Sequence, residues 1–319
     1  MRLFKFFAAF LLLSAVSAWA QDAEAKNSGI KTSTDMQLQI SSLPEAKLSL
    51  SQSFVFPFLQ GSGPLTKDNN IAAVLGAELS PVSLNGKAEI IWTPAAFFLL
   101  SGGGMAGSGW NMALGNGIGI NKPEKESDPL PRKAIIDGTA FDGLLWRAWG
   151  AGTVQFDLGA VIPGDWNHIL FQSRQELRYA AYSRADPGES WVYEADFGEN
   201  QNGLVYYGSY VLGYQMPLSP VLDTVAFMAE MEMPLYDTPG GEYWGESLGK
   251  WTFSGLFNFS ITPRFSTALV IQMQTRRNHG SSNFNNKEYY YRDYEIKDDG
   301  GQTRLLFYRA ALLLSYKIR

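Results

Sequence analysis

Across residues 251–277 apolar and polar side chains take turns on both sides of a Thr262-Pro263 turn. Trp251, Phe253, Phe257, Phe259 and Ile261 share one parity, and Thr252, Ser254, Asn258 and Ser260 the other. Past the turn, Phe265, Leu269, Ile271 and Met273 oppose Ser266, Gln272, Gln274 and Arg276. Successive side chains on a strand point to opposite faces, so the pattern predicts a β-hairpin with one apolar and one polar face. The period recurs along the chain. Leu48, Leu50, Phe54 and Phe56 oppose Lys47, Ser49, Ser51 and Ser53, and a run at 71–79 follows. In 87–92, Ala88, Ile90 and Trp92 oppose Lys87 and Glu89; in 153–162, Val154, Phe156, Leu158 and Ile162 oppose Thr153, Gln155 and Asp157. Runs at 204–216 and 221–233 continue it, the latter setting Val225, Phe227, Met231 and Met233 against Thr224, Glu230 and Glu232. In 304–318, Leu306, Tyr308, Leu312, Leu314, Tyr316 and Ile318 oppose Arg309, Ser315 and Lys317.

Two kinds of connection separate these runs. Tight ones carry proline: Ser80-Pro81, Thr93-Pro94, Pro163-Gly164-Asp165, Pro217 to Pro220 and Thr262-Pro263. Proline has no N–H for a sheet ladder and stands where pairing stops. The others are long and polar, at 60–69, 121–142, 183–202, 234–248 and 278–302, and in the second half of the chain short and long connections alternate. That alternation is expected of a barrel with turns at one rim and loops at the other.

One apolar face per strand requires a cover, either a second sheet or lipid. The runs near 166–182 and 304–318 exceed the roughly 5–6 residues usual for globular strands and suit a tilted membrane span, which favours the barrel over the soluble sandwich. The N-terminus agrees. Arg2 and Lys5 precede an apolar run, and Ala18-Trp19-Ala20 offers small residues for cleavage, so residues 1–20 are expected to be a secretory signal peptide. The run falls short of the about 18 residues that a spanning helix needs.

Composition sets limits. The 319 residues include 32 Gly, 20 Phe, 15 Tyr and 9 Trp, an aromatic content fitting barrel girdles and lectin-like sandwiches alike. The absence of Cys removes disulfides, thiolate metal sites and Cys nucleophiles together. A net charge of −5 lacks the basic stripe of a nucleic-acid binder. With two His and no Cys, no metal site or cofactor is expected.

An apparent signal peptide, amphipathic strands, alternating turns and loops, and a final amphipathic strand together resemble bacterial outer-membrane β-barrel proteins of the porin-like kind. The family commonly finishes on an aromatic residue, whereas this chain ends Tyr316-Lys317-Ile318-Arg319. The resemblance implies an all-β, transmembrane, antiparallel up-and-down barrel, with the outer-membrane bilayer and small polar solutes as its partners. Six outward runs (46–59, 84–93, 109–120, 166–182, 221–232 and 265–277) and six returns give about 12 strands, with 10–14 acceptable. Asn85-Gly86 competes with Thr93-Pro94 as a turn. Residues 21–42 are read as leader, plug or an extra strand, and 43–319 as the barrel domain.

The candidate chemistry lies on the polar faces. Gln172, Arg174, Glu176 and Arg178 share a parity opposite Ile169, Phe171, Leu177 and Tyr179. An Arg facing lipid at mid-membrane costs roughly 2–4 kcal/mol, so this row is expected inside, with Glu230 and Glu232 on the facing wall and Lys87 and Glu89 also lining the pore. Such charged rows either filter solutes in an open lumen or fill a small barrel with ion pairs. His279, Ser281 and Asn283 resemble the His, Ser and Asn of outer-membrane phospholipases and lipid A deacylases, although Ser282 stands where that pattern has Asn. A polar loop is the simpler reading of 278–283. The Gly-rich stretch 101–119 lacks the Lys-Ser/Thr of a phosphate loop and suggests an inward-folded loop or a bent wall. Tyr and charge mix in 288–301, as on an aromatic rim or a recognition surface. A passive channel for small polar solutes is the expected function. A lipid hydrolase, a hydrophobic-substrate channel and a surface-exposed adhesin or structural barrel are the alternatives.

Overall fold

A strand with one apolar and one polar face still has two unpaired edges, and a closed ring satisfies every edge while sorting the faces to outside and inside. The computed structural model of this chain describes residues 29–43, 45–112, 117–123, 134–137, 139–187, 189, 191–194, 200–216, 222–236, 249–277 and 303–318. Fifteen strands run through them in chain order: β1 (Lys31–Ser41), β2 (Ala46–Pro57), β3 (Asn70–Leu79), β4 (Ser83–Ala95), β5 (Phe98–Gly109), β6 (Ile118–Pro123), β7 (Ala134–Asp137), β8 (Leu145–Asp157), β9 (Ile169–Tyr182), β10 (Trp191–Tyr193), β11 (Gly203–Gln215), β12 (Leu222–Pro234), β13 (Lys250–Ser260), β14 (Phe265–Arg277) and β15 (Thr303–Lys317). Twelve of them form a closed up-and-down barrel, each wall strand antiparallel to the next and β1 pairing β15 to shut the ring. The remaining three form a small sheet in the order β10-β6-β7.

The two faces sort as the alternation requires. Leu48, Leu50, Ile90, Phe171, Leu177, Leu212, Phe227, Ile271 and Leu312 are exposed on the outside. Their neighbours Ser51, Ser53, Glu89, Gln172, Arg174, Ser254 and Gln272 are buried inside. Closure of the ring rules out the two-sheet sandwich.

The count of twelve agrees with the sequence reading, but its membership differs. Lys31–Ser41, inside the segment read as leader, plug or strand, is the wall strand that closes the barrel. The outward run expected at 109–120 is not a wall strand: the wall there is Phe98–Gly109, and Ile118–Pro123 belongs to the small sheet. One crossing gained and one lost leave the total unchanged while reversing the direction of the strands between them. β1 starts and β15 ends at one rim, here the terminal rim, where the Ile318 N–H donates to Thr34 O. The connection 58–69 therefore lies at the terminal rim and the Ser80–Val82 turn at the opposite, loop rim. From β8 onward the expected alternation of turns and loops holds.

Several boundaries move for identifiable reasons. Asn85 and Gly86 lie inside β4, and the chain turns at Ala96 and Phe97, just past a register irregularity that accommodates Pro94. The strand expected at 153–162 is Leu145–Asp157; it stops because Asp157 Oδ1 accepts from the Gly159 N–H and starts a short 3-10 turn. A bulge at Tyr308 sets Arg309 opposite Gln272 but Phe307 opposite Met273, so Phe307 and Leu305, rather than Tyr308 and Leu306, take the exterior parity. Pro217 to Pro220 lie outside the described residues.

The Gly-rich stretch is wall as far as Gly109, where larger inward side chains need the room. A Cβ on Gly103 would lie 2.5 Å from Trp149 Cζ2, and one on Gly107 would lie 1.9 Å from Asn85 Oδ1. Outward Gly150 is different, with nothing within 4 Å of a Cβ.

Candidate functional site: the barrel interior

The interior is built from alternate residues of twelve strands, so its chemistry depends on register. On β9 the inward positions are Gln172, Arg174, Glu176 and Arg178, as the parity predicts. Glu176 is the centre of the group. Its Oε2 accepts from Arg174 Nε at 3.0 Å and Nη2 at 2.7 Å, and its Oε1 accepts from Arg178 Nε at 2.8 Å. Arg174 also reaches Glu89 Oε1 on β4 at 3.5 Å and Ser101 Oγ on β5 at 3.3 Å. Between them the Trp149 indole N–H donates to Glu89 Oε1 at 3.3 Å, and Lys87 stands 5.7 Å over the Trp149 ring. The side chains of Arg174, Glu89 and Glu176 are only 4%, 2% and 5% exposed, so this ion-pair cluster forms a packed shelf on the β4–β9 wall.

The acidic residues of β12 are placed differently from the expectation. Glu230 and Glu232 point inward but stand two strands from the Arg row, not across the lumen from it. The link is Tyr207 on β11, whose ring lies 4.8 Å under the Arg178 guanidinium and whose hydroxyl donates to Glu230. Glu232 takes the next inward position, in register with Tyr207. Gln172 is buried below the shelf, in register with Gln155 and Val211. The shelf and the β12 acids thus form one continuous polar band from β4 to β12.

Sequence reading missed two parts of the interior. The first is apolar: Val211, Ala226 and Met228 cluster inside, as do Ala268, Val270, Ala311 and Leu313, and Leu256 packs against both groups. All of them have inward parity, and a count of polar residues per face passes over them. The second is at the loop rim. There Trp191, Tyr193, Ile118, Ile120, Leu145 and Tyr182 form a buried cluster. Beside it Tyr193 donates to Asn85 Oδ1 at 2.6 Å, and Glu194 meets Lys47 Nζ at 2.7 Å and Ser83 Oγ at 2.6 Å. The Arg147 guanidinium lies 5.5 Å over the Tyr193 ring. Burial, reinforced by the Glu194 charge, pushes the Tyr193 phenol well above its ordinary value. Glu194 has a φ of 54°, the left-handed region, which costs a non-Gly residue roughly 1–2 kcal/mol. Asn85, Lys47 and Ser83, which hydrogen-bond the Tyr193 and Glu194 side chains, lie more than a hundred residues away in sequence, so no local period announces them.

Water reaches parts of this interior. The inward side chains of Arg178, Lys47 and Arg309 remain 21%, 28% and 16% exposed. Ser51 Oγ and Ser53 Oγ on β2, Ser209 Oγ on β11 and Gln274 Oε1 on β14 are enclosed with no hydrogen-bond partner among the described residues. His168, near the terminal rim, directs Nδ1 to Asp157 Oδ2 at 3.1 Å, which gives it a bracing role at the β8–β9 connection. His279, Ser281 and the 288–301 stretch lie outside the described residues, as does the expected signal peptide.

No family model matches the chain, and no curated protein matches it. Among solved structures it is similar to "KdgM porin", at 10% identity over 90% of this chain and 99% of that one, with a TM-score of 0.39. A second is "KdgM porin in complex with disordered oligogalacturonate", at 10% identity, the same coverage of both chains and a TM-score of 0.35. A third is OmpT, an outer membrane protein of Vibrio cholerae, at 7% identity over 92% of this chain and 100% of that one, with a TM-score of 0.32.

Proposed function

We propose that this barrel is an outer-membrane porin-like channel that passes small polar solutes by diffusion through a narrow, charged lumen. The exposed apolar exterior on successive strands fits lipid, and a closed ring has no free edge to satisfy there. The observation that carries the reading is the set of inward charged side chains that stay solvent-exposed, Arg178, Lys47 and Arg309, spread over three strands of the ring. A dry, filled interior would enclose these charges at a desolvation cost, whereas water in a lumen keeps them solvated. The polar band from Lys87 and Glu89 through Arg174, Glu176 and Arg178 to Glu230 and Glu232 supplies the waist, where the passing solute meets fixed charge. In this reading residues 1–20 direct export to the outer membrane of a diderm bacterium and are cleaved.

Single-channel recording of purified protein in a planar bilayer tests it. Discrete conductance steps are expected, from a protein whose mobility in cold SDS shifts on boiling. Recovery of a soluble monomer without detergent, or a folded barrel in the bilayer that never conducts, would refute the channel.

A further inference from the structure

The 183–202 connection leaves the wall at β9 and returns at β11, yet Glu194 grips inward side chains of β2 and β4. In the ring of twelve, β2 stands directly opposite β11. Residues 191–194 therefore reach across the mouth at the loop rim. Besides the backbone ladder of β10 with β6, their side-chain attachments differ in kind. On the near side Trp191 and Val192 are fully enclosed, with Trp191 packed among Ile118, Leu145 and Tyr182. On the far side the hold is polar: the Glu194 carboxylate on Lys47 and Ser83, and the Tyr193 hydroxyl on Asn85. The left-handed turn at Glu194 aims that carboxylate across, and the Glu194 N–H is secured on Gly117 O at 2.7 Å.

We propose that residues 191–194 are a strap hinged on the β9–β11 side and latched by Glu194, and that unlatching widens the mouth of the barrel. The effect on conduction rests on the channel reading above; the latch does not. An ion pair at a wet rim suits a releasable hold, since it binds through two side chains and leaves the apolar hinge untouched. The groups facing Glu194 are Lys47 on β2, Ser83 and Asn85 on β4, Arg147 on β8 and its neighbour Tyr193, with Glu78 on β3 3.9 Å from Lys47. Burial opposes ionisation of Glu194, but Lys47, Ser83 and Arg147 outweigh it and hold the carboxyl below its ordinary value. The latch is thus at full strength above the ordinary carboxylate range and is lost only as pH falls through that lowered value.

The chain contains no Cys, so Val192→Cys places a single thiol at an enclosed strap position. The full-length barrel carrying it is labelled with a membrane-impermeant maleimide, alone and combined with Glu194→Gln or Lys47→Met. Labelling is expected to accelerate at least ten-fold in both combinations, and unit conductance in a planar bilayer to rise. Amide hydrogen exchange of 191–194 in protein lacking the cysteine is the second readout and is expected to quicken in step. Labelling and exchange that ignore both substitutions would overturn the latch. Faster labelling in protein that never conducts would sink the channel and leave the latch standing. Faster labelling with an unchanged conductance would overturn the widening.

Discussion

Replacing Arg174 with Met tests whether the charged shelf is desolvated or bathed by the lumen. The methionine keeps most of the aliphatic volume but removes the guanidinium that lies 2.7 Å from Glu176 and 3.5 Å from Glu89. Glu176 still has Arg178, and Glu89 still accepts from Trp149. Two carboxylates at most 5% exposed nevertheless lose their shared counter-charge. Breaking a buried ion pair from one side costs about 3–5 kcal/mol, and the surviving Arg178 contact points to the lower end. With a urea slope of about 3 kcal/mol/M, the midpoint should fall by about 1 M. Tryptophan fluorescence during urea titration of protein folded in lipid vesicles measures it. The control is Arg174→Met with Glu89→Met, which removes one charge of each sign and leaves Glu176 paired with Arg178. It should recover at least half of the loss, because exchanging a whole buried pair for apolar side chains is close to neutral. An Arg174→Met midpoint within about 0.2 M of wild type, equivalent to roughly 0.6 kcal/mol, would show that water screens the shelf and would refute its description as packed.

Two further outcomes follow from register. Gly103→Val, whose Cβ would press on Trp149 and on Ala88 O, should destabilise the barrel by about 1–3 kcal/mol in the same titration, whereas Gly150→Ala, whose Cβ meets nothing, should be neutral or stabilise it by up to about 1 kcal/mol. Equal losses in the two would mean that the inward and outward assignments on β5 and β8 are wrong. Reversal potentials in a salt gradient should move toward cation selectivity in Arg178→Gln and further than in Arg174→Gln, because Arg178 is 21% exposed while Arg174 is enclosed by carboxylates; Glu230→Gln with Glu232→Gln should move them the other way. A conducting protein indifferent to all four substitutions would remove these residues from the solute path.

The wall was legible wherever alternation is intact, and β9, β12, β13 and β14 match their sequence parity residue by residue. β1 carries the same signal, Met36, Leu38 and Ile40 set against Asp35, Gln37 and Gln39, within the segment read as leader, plug or an extra strand. β5 was obscured because Gly102, Gly103, Gly104 and Gly107 have no side chains to alternate. The reason for Gly103 and Gly107 sits on other strands, in Trp149 and Asn85. The inward face of the Arg row could be read from charge alone, since lipid forbids it. Its partner could not: Glu89 is eighty-five residues away and meets Arg174 across two intervening strands. Parity assigns a face, and only closure of the ring assigns neighbours.

The seam where β1 meets β15 has a kinetic meaning. It has seven paired residues, against thirteen between β14 and β15, and it joins the two ends of the described chain. Every other ladder of the barrel zips between wall strands consecutive along the chain, but this one must wait until all of them stand in order. Bringing such distant ends together costs about 3 kcal/mol more in chain entropy than closing a ten-residue turn, before any hydrogen bond forms in return. The seam should therefore be the last ladder to form and the first to part, so that assembly is rate-limited by the meeting of Met36, Leu38 and Ile40 with Tyr316, Leu314 and Leu312.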